Sequence, residues 1–168
     1  MMPAWLEEKL RDFSLKDIYD FSAWTAEFLD RADDRRIAIA SAIIRGIPGV
    51  DADDGWLYFR CWLIAQGEQI YKVTVQNPDS LADVPDIEKE AELGGGLELE
   101  ILMYVTLKPF EEKSGGRKFQ EAMPEWQPPP GCQPYNLGQK NPDFWHDKDI
   151  TKLSTLYPRL TKRFPLHT

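Results

Sequence analysis

Few residues of this chain have types and spacings that could do chemistry. They are an acidic cluster at Asp51, Asp53 and Asp54, a single arginine, Arg60, inside an apolar run, the histidines His146 and His167, and the cysteines Cys61 and Cys132. Clustered carboxylates suit a hard divalent cation, which wants several oxygen ligands. The loop Asp51-Ala52-Asp53-Asp54-Gly55 nevertheless fails as a calcium loop of the EF-hand type. Counting from Asp51, the fifth and sixth positions are Gly55 and Trp56, and the twelfth is Trp62 in place of Glu. A helix cap, with first-turn charges that complement the helix dipole, accounts for the same residues and is the favoured reading.

Arg60 is the sole charge between Trp56 and Ala65. A buried guanidinium needs carboxylates or carbonyls around it, because burial without them is strongly unfavourable. The expected partner is Asp53, Asp54 or a Glu of the 86–100 segment. The alternative is an anion-binding arginine at the floor of a pocket, with Tyr58 and Gln66 nearby. His146 offers a separate candidate, as a general base or as part of a metal site with a distant carboxylate. His146 lies beside Asp147 and Asp149. Sequence neighbours on a loop rarely orient one another as a catalytic dyad does, so a structural or solvent-exposed histidine is favoured. No G-x-S-x-G, catalytic cysteine motif or H-E-x-x-H is present. Gly94-Gly95-Gly96 and Ser114-Gly115-Gly116-Arg117-Lys118 lack the ending and spacing of a phosphate-binding loop. The two cysteines form neither a zinc pattern nor a framework of bridges and are read as free thiols in a reducing cytoplasm. No metal and no cofactor is expected.

The elements that must position these residues read as helices. Ser14 and Asp17 resemble a capping box, and Ile18, Phe21, Trp24 and Phe28 recur at helical spacing, which predicts a helix from about Leu15 to Arg31. Residues 1–13 are read as a short lead-in. Asp33 and Asp34 can cap a second helix through Ile37 and Ile44, stopped at Gly46-Ile47-Pro48-Gly49. The run from about 54 to 66 is apolar on nearly every side, so it must be surrounded by other elements. It is the expected central helix of an all-α, single-domain bundle spanning residues 1–168. Gly67 breaks it, and the pattern resumes until Asn77-Pro78. Asp79 to Leu93 is read as a surface segment with a short acidic helix from about Asp86. Leu97 to Leu107 fits strand or helix. No second strand offers partners for its backbone, so a helix ending near Pro109 is expected. The Gly- and Pro-rich stretch 114–142 is too long for a simple connection, and Trp126, Tyr135 and Leu137 suggest that it wraps the domain. Two helical pieces, meeting at Pro158, close the chain.

Net charge is 20 − 28 = −8, unevenly spread. Residues 79–112 hold ten acidic and two basic side chains, and residues 113–168 hold nine basic and five acidic ones. The basic tail can fold back on the acidic middle, which is the favoured reading. Otherwise the acidic middle meets a partner, with Glu88, Glu90 and Glu92 as the candidate face. Nucleic acid is not an expected partner, since phosphate neutralisation needs a clustered basic face. Nor is a membrane: the longest apolar run, Ile37 to Ile44, is far below the roughly 20 residues that span a bilayer. The N-terminal MMPAWLEEKL carries acids where a signal peptide would be apolar. A cytoplasmic protein is expected.

Asp53-Asp54-Gly55-Trp56, Tyr58-Phe59-Arg60, Trp62-Leu63-Ile64, Gln66-Gly67 and Asn77-Pro78-Asp79-Ser80-Leu81-Ala82 together resemble a bacterial family known as domain of unknown function 4240. That family's core reads DDGF-x-YFR-x-WLI-x-QG, followed by DPDSLA; Trp56 here replaces Phe and Asn77 replaces the first Asp. The resemblance covers Ile37 to Val84 closely and continues more loosely through Glu111-Glu112-Lys113 and the Leu156-x-Pro158-x-Leu160 element, with a poor match over 114–142. It implies no chemistry. Relatives that form parts of larger regulatory proteins imply an accessory or binding role. The leading expectation is therefore a non-catalytic interaction, regulatory or immunity-type module with a basic protein partner. The alternative is a small hydrolase or anion-binding protein with a pocket around Asp53, Asp54, Arg60 and His146.

Overall fold

The computed structural model describes residues 3–46, 54–92, 96–122, 125–132 and 150–166. Among these residues the fold is all-α. The helices are α1 (Pro3–Leu10), α2 (Leu15–Arg31), α3 (Arg35–Arg45), α4 (Asp54–Ala65), α5 (Glu68–Gln76), α6 (Ile87–Glu92), α7 (Leu107–Lys113), α8 (Phe119–Ala122), α9 (Ile150–Leu156) and α10 (Pro158–Arg163). Two 3-10 turns, Pro78–Asp83 and Glu100–Met103, join them. None of these helices is long and apolar enough to cross a membrane. The chain gathers into two compact units, residues 1–30 with 100–136 and residues 31–99 with 137–168.

In the first unit α2 begins at the expected capping box. The Ser14 amide donates to Asp17 at 3.1 Å, and the Asp17 amide donates to Ser14 Oγ at 3.1 Å. The lead-in is itself a helix, which corrects the reading of residues 1–13. Pro3 suits a first helical position, Glu7 and Arg11 pair at 2.6 Å one turn apart, and Leu10 is buried where α1 packs on α7. The helix expected over Leu97–Leu107 is also corrected. Glu100–Met103 is a 3-10 turn, Tyr104–Thr106 a further turn, and Pro109 lies in the first turn of α7, where its missing N–H removes no intrahelical bond. The wrap is present over the described part of the Pro-rich stretch. Tyr19 stacks on Trp126 with ring centroids 5.6 Å apart and donates its hydroxyl to the Trp126 carbonyl at 3.1 Å. Phe119 packs edge-on against Phe110 at 5.0 Å. Tyr135 and Leu137 lie outside the described residues.

In the second unit α4 is largely buried, while α3, α5 and α10 gather on the turn Pro78–Asp83. Trp56, Phe59, Cys61, Trp62 and Leu63 are all buried, and each large apolar side chain contributes about 1.5–3 kcal/mol by leaving water. α3 starts at Asp34, whose carboxylate accepts from the Arg36 amide at 2.7 Å, and stops at Gly46, whose φ of 63° a side chain would resist. Gly67, at φ 90°, separates α4 from α5. The stretch after Asn77 is not a surface segment: Pro78, Asp79, Leu81, Val84 and Ile87 are buried, and the turn Pro78–Asp83 packs on α3, α5 and α10. Its apolar residues have no helical period, because a 3-10 turn and an irregular link carry them.

Candidate functional site

Arg60 reaches the inside of the second unit, 7% exposed. Asp33 holds it: Nη1 lies 3.6 Å from Asp33 Oδ1, and the same oxygen accepts from Trp56 Nε1 at 3.0 Å. The guanidinium also sits 5.1 Å from the centre of a Trp56 ring. This is an internal ion pair, as the favoured reading expects, and Asp33 is a partner that the reading did not name. Asp33 stands just outside the cap of α3, so Asp34 is left for capping and Asp33 for Arg60.

The other pocket candidates on α4 make contacts of their own. Tyr58 is two residues from Arg60, so about 200° of helical rotation separates their side chains. The Tyr58 carbonyl accepts from the Leu99 amide at 3.0 Å. Gln66 turns back to the Trp62 carbonyl at 3.4 Å, and Asp54 is exposed at the first turn of α4. Asp51, Asp53 and His146 lie outside the described residues. Among the described residues no three of His, Cys, Asp and Glu gather as metal ligands would. Burial pushes the Cys61 thiol up to about 12 against the opposing pull of Arg60, which keeps it protonated and inert.

The acidic middle is largely engaged within each unit. In the second unit Asp79 accepts from the Arg159 and Leu160 amides at 3.2 and 2.9 Å, and so caps α10. Asp83 pairs with Arg159, Glu88 is bidentate with Arg163, and Glu98 meets Arg45 at 2.8 Å. Glu90 accepts from Trp62 Nε1 at 2.6 Å, and Asp86 pairs with Lys89. In the first unit Glu111 pairs with Lys118, and Glu112 with Arg11 at 2.8 Å. The Arg163 bond holds the Glu88 carboxyl below its ordinary range. Of the candidate face, Glu88 and Glu90 therefore hold other parts of their own unit, while Glu92 is exposed.

The second unit also has an open cleft of about 420 Å³ between the start of α3, the end of α5 and the end of α9. Arg35, Arg36 and Lys152 supply its charge, and Ile39, Leu156 and Tyr157 supply apolar wall. Tyr157 donates its hydroxyl to the Arg36 carbonyl at 3.0 Å, and burial pushes its phenol up to about 12. Arg36 is held by Asp34 at 2.8 Å, which keeps the Asp34 carboxyl below its ordinary range. Sequence reasoning missed this cleft. Its local signals are slight, a pair of arginines after a cap and Lys152 one turn before Leu156 on α9. No curated protein and no solved structure matches the chain. Residues 1–112 match the family described as protein of unknown function (DUF4240), which takes in the α4 motif, and the chain belongs to that family.

Proposed function

We propose that this protein is a non-catalytic module that works by holding a protein partner. One observation carries the reading. The described lining of the cleft offers cations and apolar wall, with no carboxylate, imidazole or thiol to move a proton or attack a substrate. Arg60 and Cys61 are buried in the interior of the second unit, Arg60 against Asp33. The acidic middle supports the fold first, and its exposed remainder around Glu92 is left for a basic partner of the immunity or regulatory type. The test is two-sided. The full chain, used as bait in lysate of its own host, is expected to retain a specific protein, with an association rate that falls as salt rises. Turnover of ester, phosphoester or peptide substrates that is lost on Asp54→Asn or His146→Ala would overturn the reading in favour of a hydrolase.

A further inference from the structure

We propose that the α3–α5–α9 cleft is a docking site for an acidic peptide segment of a partner protein, one in which carboxylates flank a large apolar side chain. The proposal rests on the binding-module reading and gives it a second contact, separate from the basic partner surface expected around Glu92. Charge complementarity is the first argument. In a chain of net charge −8, this cleft brings together Arg35, Arg36 and Lys152 from two helices. Asp34 meets Arg36 across 2.8 Å, and Asp79, next to the wall residue Pro78, is directed to the start of α10. Arg35 and Lys152 are exposed at the rim, where a rim charge steers association and sets register.

The wall carries the second argument. Leu156 is 55% exposed, and Ile39 and Tyr157, themselves largely buried, line the cleft beside it from α3 and the lead-in to α10. The Tyr157 hydroxyl is directed to the Arg36 carbonyl, so the wall presents its ring and not a donor. A small inorganic anion would gain nothing from such a wall, whereas a peptide with one apolar anchor would cover it. At about 420 Å³ the cleft falls within the roughly 300–1,000 Å³ typical of ligand sites, room enough for side chains.

The experiment pans a displayed random-peptide library on the full chain. The expected winners carry Asp or Glu on both sides of a Leu, Ile, Phe or Trp. Their binding weakens as salt rises, falls about tenfold or more in Arg35→Glu/Lys152→Glu, and is unchanged in the control Lys72→Glu. Leu156→Ser tests the anchor separately, because an exposed position tolerates the change if the double reversal disturbs folding. Winners that are neutral or basic, the absence of any winner, or binding indifferent to all these variants overturns the proposal. So does binding of inorganic phosphate alone with the same Arg35 and Lys152 dependence. Sedimentation showing a dimer lost on Lys152→Glu would give the cleft to a second copy of the chain and would also overturn it. Turnover lost on Asp54→Asn would sink the module reading and leave a peptide result standing, so the two failures are distinguishable.

Discussion

At the scale of residues, Arg60, Asp33 and Trp56 form a buried cluster in the second unit. Its worth lies in what happens when one member is removed. Asp33→Ala removes an acceptor that faces both the guanidinium and the indole N–H inside the second unit, and the expected cost is about 1–3 kcal/mol. A denaturation midpoint equal to the parent's would show that Arg60 finds water or another partner. Cys61 gives a second prediction. Its folded thiol is raised from 9.0 to about 12, so folding favours the protonated form. The stability from this source is complete below the ordinary thiol value and is lost as pH rises from about 9 through about 12. Below that window, alkylation of Cys61 should track global unfolding, read by peptide mapping so that Cys132 is scored apart. Fast labelling of Cys61 under native conditions would contradict its burial.

At the scale of elements, α10 shows how a short helix is held by residues outside it. Six residues are too few to stand alone in water, and Tyr157 at its start supplies no side-chain cap. Asp79, on the turn Pro78–Asp83, accepts two of its first amides instead. Asp79→Ala is expected to cost about 1–3 kcal/mol, the loss of a cap that leaves buried donors unmet. Hydrogen exchange should show α10 opening first, and uniform protection would contradict the role given to Asp79. The same contrast between local and distant causes decides what could be read from sequence. The span Leu15–Arg31, the cap at Asp34, the stop at Gly46 and the break at Gly67 follow from neighbours a turn or less away, and each was legible. α1 was missed because its stability comes from packing on α7. The 97–107 stretch was misread because an apolar run says that a segment is buried without saying which backbone carries it there. The site was the least legible part, since Arg60 takes a partner from before α3 and the cleft joins Arg35 to Lys152.

At the scale of the whole molecule, net charge and its use are different quantities. The chain carries −8, yet the acidic middle is largely occupied by its own capping, pairing and indole contacts. Recognition needs groups that are not already holding the fold. The central claim is that Glu88 docks the C-terminal helix and is not chiefly a partner contact. The most direct measurement is a charge-swap cycle on the full chain, comparing Glu88→Arg, Arg163→Glu and the double swap by denaturation midpoint. Each single reversal puts like charges together and is predicted to lower the midpoint, and the double swap is predicted to recover much of the loss. Single reversals that leave the midpoint unchanged, or a double swap that simply adds two losses, would contradict it.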